Sequence, residues 1–139
     1  MKTHSTDYKN TFIEIAEDCP TNKGQIPPIK SKKTIANIQY DIISKNPYKF
    51  TSDDVLFKVY AERNDLPKSE FESERKKLFS KGQACLRSSP LTKRYGWGIH
   101  FNEHSKIAIY GVETNKYEKY VNDNNLNILK AMRSSKSNK

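Results

Sequence analysis

The sequence predicts a small single-domain α+β protein with an antiparallel sheet of about four strands and three to four helices. Apolar residues recur at helical spacing in three stretches before residue 82, which indicates helices. β-branched and aromatic residues alternate around residues 11–15 and 95–112, which indicates strands. A length of 139 residues is typical of one domain with its own core. We therefore expect one domain over residues 1–133 and a disordered basic tail at 134–139.

The first third of the chain is predicted as a strand, a loop and a helix. Residues 11–15 alternate in the manner of a strand. Residues 20–33 contain three prolines, a glycine and four lysines but no acid, which is typical of an exposed loop. Isoleucines then recur every three or four residues within 33–45, which predicts a helix that ends before Pro47.

Two further helices are predicted from their start signals and apolar faces. Residues 51–54 place hydroxyls and then acids at the start of a helix that runs to about residue 63. Its apolar face holds Val55, Leu56, Val59 and Tyr60. Phe57 lies off this face. A capping box at Ser69–Glu72 begins a third helix, and Gly82 stands where a C-terminal glycine belongs.

The last third of the chain is predicted as a hairpin, a short helix and a final strand. Residues 95–101 and 106–112 have strand-like composition, and the four residues between them form a hairpin loop. Thr114 is placed to cap a short helix. Residues 126–132 are then predicted as the last strand.

Positive charge is concentrated in one segment. Residues 75–102 contain no acid, and their seven bases supply most of the formal net charge of +9. These bases are Arg75, Lys76, Lys77, Lys81, Arg87, Lys93 and Arg94. The preceding residues 53–74 hold seven acids against three bases, so the two regions could neutralise each other in the fold. An isoelectric point near 9.5 therefore does not establish nucleic-acid binding.

Several classes of protein are disfavoured by what the sequence lacks. No apolar run approaches the roughly 18 residues of a membrane span, and the N-terminus lacks the apolar stretch of a signal peptide. We expect a cytoplasmic protein with no membrane partner and with free thiols at Cys19 and Cys85. Three scattered histidines and no CxxC pair give no reason to expect a metal or another cofactor. The oligomeric state is left open.

The hairpin carries the candidate site. Alternation along the first strand places large residues on one face: Tyr95, Trp97, Ile99 and Phe101. The other face then carries two glycines followed by an imidazole, and glycine within a strand often marks close approach by a ligand or by another backbone. The glycines could floor a ligand groove, or a helix could pack closely over them and bond to the imidazole. The candidate ligand-binding residues are Arg87, Lys93, Arg94, Gly96, Gly98 and His100.

Two functions from different classes are compatible with this segment. The leading hypothesis is a non-enzymatic binding module that takes an anionic small molecule or nucleic acid. The alternative is a small enzyme or metabolite-binding protein with a pocket around His100, which could act as acid or base. Cys85 is the nearest candidate nucleophile for such an enzyme. The sequence contains no recognisable catalytic motif or nucleotide-binding loop.

Three strings resemble a known family. Residues 89–100, SPLTKRYGWGIH, residues 46–55, NPYKFTSDDV, and the opening KTHS are similar to an uncharacterised bacterial family, domain of unknown function 6157. The resemblance extends from Met1 to about Arg133. It implies a small stand-alone bacterial protein. It supplies no activity, cofactor or catalytic residue.

Overall fold

A computed structural model of the chain describes residues 4–134, which form one four-stranded sheet with helices on both faces. The strands are β1 (Thr11–Glu14), β2 (Trp97–Phe101), β3 (Ile107–Gly111) and β4 (Asn127–Lys130). Their spatial order is β3-β2-β1-β4. The predicted α+β class and the predicted number of strands are confirmed. The predicted disordered tail lies, apart from Ser134, outside the described residues.

The prediction of a purely antiparallel sheet is wrong. β1 pairs antiparallel with β2, and β2 pairs antiparallel with β3, but β1 pairs parallel with β4. The reason is the connection between β3 and β4, which contains the helix α5 (Asn115–Val121). A helical connection that crosses a sheet face carries the chain back to the end of the sheet where the previous strand began, so the next strand runs parallel to that strand.

Four further helices precede the hairpin. They are α1 (Ile35–Lys45), α2 (Ser52–Arg63), α3 (Phe71–Phe79) and α4 (Pro90–Lys93). The hydroxyls of Thr34 and Thr51 cap α1 and α2 as parts of capping boxes, and Thr114 caps α5. The sequence analysis missed α4, which is a single turn. Ser89 at its N-cap and proline at its first position are the signals that mark it.

Both predicted end signals of the third helix are wrong. Ser69 lies inside a 3-10 turn, Lys68–Glu70, and Glu70 is the residue that precedes α3. At the other end α3 stops at Phe79 with Ser80 as its cap, so Gly82 lies beyond the terminus. The existence of the helix follows from its apolar spacing, whereas its ends depend on the neighbouring packing.

The sheet is buried on both faces. Ile13, Ile99 and Phe101 point to the face that α1, α2 and α4 cover, and all three are fully buried. Phe12 points to the opposite face, where α5 covers it. β1 is therefore a central strand with both faces in the core, although it has only four residues.

α2 is also buried on two sides. Val55 and Val59 face the main core, whereas Phe57 faces α3, where its ring meets that of Phe71 edge-on at 5.3 Å. Phe57, which lies off the predicted apolar face, is only 4% exposed. It is buried because α3 covers the outer side of α2 and forms a second, smaller apolar cluster there with Phe79.

We predict that Phe57→Ala lowers the free energy of unfolding by about 3–5 kcal/mol, because it opens a cavity between α2 and α3. Ile26→Ala is the matched control, since Ile26 is 69% exposed and its truncation should change stability by less than about 0.5 kcal/mol. Equilibrium denaturant unfolding measures both. A loss below about 1 kcal/mol for Phe57→Ala would show that the second cluster does not stabilise the fold.

Candidate functional site

The six predicted site residues divide into two groups in the fold. Arg87, Lys93 and Arg94 lie with Gly96 at the end of the sheet where β2 begins. Gly98 and His100 lie within β2 on the face that α5 covers. His100 is three residues from the start of β2, so it lies about 10 Å along the strand from the basic residues. The structure therefore does not bring all six into one pocket.

The space above Gly98 is filled by two aromatic rings. A Cβ at this position would lie 2.5 Å from Cζ of Phe12 and 2.6 Å from Cε2 of Tyr117. Tyr117 belongs to α5, and its hydroxyl accepts a hydrogen bond from the backbone N–H of Ile15 at 2.9 Å. Burial raises the pKa of Tyr117 to about 12. Of the two interpretations of this glycine, the close packing of a helix is therefore confirmed.

Gly96 has a different role from Gly98. β2 begins at Trp97, so the prediction that Gly96 belongs to the strand face is wrong. Its φ of +77° lies in the left-handed region, and a Cβ there would lie 2.5 Å from the carbonyl oxygen of Lys23. Glycine is required here by the turn and by the loop that crosses it.

Three tyrosines surround His100 on the α5 side of the sheet. The hydroxyl of Tyr48 lies 2.8 Å from Nδ1 of His100, 2.7 Å from the hydroxyl of Tyr110 and 3.3 Å from that of Tyr120. The ring of Tyr120 stacks on the imidazole at 4.1 Å with an interplanar angle of 12°. We call these four residues the tyrosine hub. Because Tyr48 has a single proton, its oxygen accepts at least two of the three bonds.

Burial disfavours the charged forms of His100 and Tyr48. Burial lowers the pKa of His100; the charge of Asp123 opposes this shift and that of Lys116 adds to it. Burial, with hydrogen bonds to Tyr110 and Tyr120, raises the pKa of Tyr48 well above its usual value. An uncharged imidazole bonded to the uncharged hydroxyl of Tyr48 avoids the cost of an unpaired charge in a half-buried site.

Tyr48 has an unusual backbone conformation. Its φ of +59° is left-handed, which is uncommon for a bulky residue. Its N–H donates to the carbonyl of Ile107 at 2.8 Å, so the start of β3 holds the turn in place. Such a strained conformation persists only where the surrounding contacts hold the residue in place. The network fixes three separate parts of the chain: this turn, the hairpin and α5.

Sequence reasoning missed all three tyrosines of the hub. Tyr110 pairs with Gly98 across the hairpin, and the alternation along β3 could have placed it beside His100. Tyr117 and Tyr120 are three apart on α5, and this spacing could have predicted that they share a face. Tyr48 gives no such signal, because it reaches the hub through a turn whose conformation depends on distant contacts.

The basic group forms a second candidate site, which we call the basic edge and define by Lys23, Arg87, Lys93 and Arg94. The loop that follows β1 crosses the start of β2. The N–H of Gln25 donates to the carbonyl of Tyr95, and the indole N–H of Trp97 donates to the carbonyl of Gln25, both at 2.8 Å. This contact joins two acid-free stretches of the sequence, residues 19–40 and 75–102.

Two acids near the basic edge make contacts outside it, and the charge of Lys23 also acts on one of them, Glu113. Glu113 accepts a hydrogen bond from the N–H of Gly24 at 2.9 Å, and this bond lowers its pKa. Glu17 lies between Lys130 and Arg133, at 3.9 and 3.6 Å. Among residues 4–134, no carboxylate oxygen lies within 4.0 Å of the terminal nitrogens of Lys23, Lys93 or Arg94. Arg87 donates from Nε to the carbonyl of Lys130 at 2.7 Å.

The predicted neutralisation of the basic segment occurs only at its start. Arg75 on α3 pairs with Asp54 on α2 at 3.0 Å, and Lys76 pairs with Glu72 at 3.7 Å. Lys93 and Arg94 lie at the other end of the segment, beside the sheet and away from the acids of α2. Folding therefore separates bases that the sequence presents as one run.

Cys85 and His100 lie on opposite sides of the sheet. The thiol of Cys85 accepts a hydrogen bond from Tyr8 at 3.4 Å, and the ring of Tyr8 packs edge-on against Phe101. Phe101 points to the α1–α2 face, whereas its neighbour His100 points to α5. The Cys–His pair that nucleophilic catalysis requires is thus not formed. Within residues 4–134, no cluster of acids, histidines or cysteines is arranged to hold a metal, and no helix could span a bilayer.

Comparison with known proteins identifies the family. A family described as a family of unknown function, DUF6157, matches residues 3–137. The chain belongs to this family. The match confirms the resemblance of the three strings quoted above and extends over nearly the whole chain. No curated protein and no solved structure gives a significant match. Membership of DUF6157 assigns no activity, so the function has to be argued from the geometry of the two candidate sites.

We predict that Gly98→Ala lowers the free energy of unfolding by about 1–3 kcal/mol, because its Cβ collides with the rings of Phe12 and Tyr117. Gly82→Ala is the matched control: a Cβ at Gly82 meets nothing within 4 Å. The control should be neutral or slightly stabilising. Thermal and denaturant unfolding of both variants decide the matter, and equal stabilities would contradict the packing argument.

We predict that the tyrosine hub makes stability depend on pH below the ordinary histidine pKa of 6.5. The folded state lowers the pKa of His100, so the unfolded state binds the proton more readily. The contribution is full above pH 6.5 and is lost as pH falls through the folded-state pKa. Unfolding free energies between pH 5 and 8 should show a drop that His100→Phe reduces.

The control for this experiment is His104→Gln. His104 lies on the exposed hairpin loop, outside the tyrosine hub, so the drop that His100→Phe reduces should persist in this variant. A His100→Phe variant with the same pH profile as the wild type would show that His100 titrates alike in both states.

Proposed function

We propose that this protein is a non-enzymatic binding module whose basic edge binds nucleic acid through its phosphate backbone. The observation that carries the proposal is the pair of hydrogen bonds between Gln25 and the start of β2, because they place two acid-free segments side by side. Lys93 and Arg94 extend from this junction without a carboxylate partner among residues 4–134.

The direction of the strands lengthens this surface. β1 and β4 end at the edge of the sheet where β2 begins. Lys130 and Arg133 therefore lie at the same edge as Arg94, with the single carboxylate of Glu17 between them, and Arg87 bonds to the end of β4. A row of bases along one edge matches the regular spacing of phosphates better than it matches a compact anion.

The contacts of Trp97 favour sequence-independent binding. Its indole N–H is bonded to Gln25, and its ring packs against Tyr40 at 5.5 Å. The tryptophan holds the loop in place, so it is not free to stack on a base. Binding by phosphate contacts alone predicts little preference between sequences.

The alternative function, a metabolite pocket or acid–base site at His100, has less support. The rings of Phe12 and Tyr117 occupy the position above Gly98 that such a ligand would need. The hydroxyls of the hub bond to each other and to His100, which favours a structural role for the network.

The test is binding to a fluorescent oligonucleotide at several salt concentrations. We expect affinity to fall steeply with salt, because bound phosphates release counterions. Lys93→Ala and Arg94→Ala should each weaken binding to every sequence and reduce the salt slope by about 1. Arg63→Ala and Lys68→Ala, which change charge equally in the acid-rich region, are the controls.

Two results would overturn the proposal. One is the absence of binding at low salt and high micromolar protein. The other is an equal loss of affinity in the control variants, which would mean that net charge rather than the basic edge governs binding.

A further inference from the structure

A second surface combines exposed apolar side chains with bases. Ile26 and Ile29 are 69% and 72% exposed, and they flank Pro27 and Pro28. Three lysines, at positions 30, 32 and 33, follow immediately. We call residues 26–33 the Ile–Lys loop. Exposure of two large aliphatic side chains in so short a segment is unfavourable, so their burial against a partner would be favourable.

The Ile–Lys loop is anchored to α1 at its two prolines. Pro27 is fully buried, and the side-chain amide of Asn37 donates to the carbonyls of Pro27 and Pro28 at 2.9 and 3.3 Å. Asn37 belongs to the first turn of α1 and is itself buried. A surface that is already ordered loses little conformational entropy when it binds.

The chain also carries a groove of complementary character. A cavity of about 470 Å³ lies between the second half of α1, the end of α2 and the start of α3. Its floor is apolar: Ile42, Ala61, Leu66 and Phe71. Glu62 and Asp65 stand at its rim, and we call this cavity the acidic groove.

The charges of the two surfaces match. Glu62 and Asp65 are exposed, and among residues 4–134 neither has a basic nitrogen within 4.0 Å. Lys58, the base at the rim, lies over the ring of Phe50 at 4.6 Å. On the opposite surface, Lys30 and Lys32 have no ion pair within the described chain.

The loop cannot reach the groove of its own molecule. Asn37 ties the Ile–Lys loop to the start of α1, whereas Ile42 places the groove in the second half of the same helix. Positions 35 and 42 are separated by about 10 Å along the helix axis. The loop and the groove therefore lie near opposite ends of α1, so a contact between them would join two molecules.

We propose that the Ile–Lys loop of one molecule docks into the acidic groove of a second copy. The contact is heterologous, because each molecule contributes a different surface, so it extends head to tail into chains or a closed ring. The surfaces are small, which predicts weak, concentration-dependent association. The residues involved are separate from the basic edge, so this proposal does not rest on nucleic-acid binding.

The test is sedimentation velocity of the full chain from micromolar to millimolar concentration. The wild type should form dimers and larger species. A loop variant, Ile26→Ser with Ile29→Ser, and a groove variant, Glu62→Lys with Asp65→Asn, should each weaken association roughly tenfold or more. Asparagine suits position 65 because φ there is +48°, a left-handed value that asparagine tolerates. Both pairs of positions are exposed, so melting temperatures close to that of the wild type verify folding.

Mixing the two variants gives the decisive measurement. The loop variant keeps a working groove and the groove variant keeps a working loop, so an equimolar mixture should form dimers and nothing larger. The control is Glu103→Lys with Glu118→Gln, which makes the same charge change at exposed sites elsewhere and should associate like the wild type.

Three outcomes would overturn the proposal. A wild type that stays monomeric at millimolar concentration would show that the loop serves another partner, such as a membrane or a different protein. Unchanged association of the loop variant would show that the two isoleucines do not take part in the contact. A mixture that associates no more than its two components would exclude a heterologous contact. A symmetric loop-to-loop dimer would give this result.

Discussion

The packing of α5 against β2 depends on the missing side chain at Gly98. Because no Cβ stands there, the rings of Phe12 and Tyr117 meet edge to face over the strand, with centroids 5.0 Å apart. α5 has only seven residues and would not be stable as an isolated helix. Its position is therefore set by this contact, and the same contact brings Tyr120 onto His100. The tyrosine hub is a consequence of glycine in the strand.

The position of α5 determines the rest of the sheet. The helix carries the chain from β3 across two strands, and β4 then enters beside β1 and parallel to it. β1 acquires neighbours on both sides, which buries Phe12 and Ile13 completely. The end of β4 also contacts the segment before α4, through the bond from Arg87 to Lys130. The packing over Gly98 therefore influences the basic edge, because it helps to set the position of β4, whose end bonds to Arg87.

Local signals in the sequence predict most elements. The features that they do not predict depend on contacts between distant residues. The helix after Thr51 and the hairpin with its four-residue loop follow from capping groups and alternation, which act within a few residues. Gly96 was assigned to the strand because alternation continues through it, yet the loop carbonyl at Lys23 requires its left-handed turn. Tyr48 reaches His100 across 52 positions, and no local pattern encodes that contact.

The distribution of charge in the fold also depends on contacts between distant residues, and it connects the basic edge with the proposed contact between copies. A net charge of +9 suggests a uniformly basic molecule, but folding pairs Arg75 with Asp54, whereas Lys93 and Arg94 at the sheet edge have no carboxylate partner within residues 4–134. The Ile–Lys loop places positive charge beside the start of α1, and the acidic groove places negative charge beside its second half. If the basic edge binds a polyanion as proposed, copies bound side by side would share a high effective concentration, which would strengthen weak contacts between them without new interactions. A head-to-tail contact too weak to persist in dilute solution would therefore form where the basic edges are already aligned.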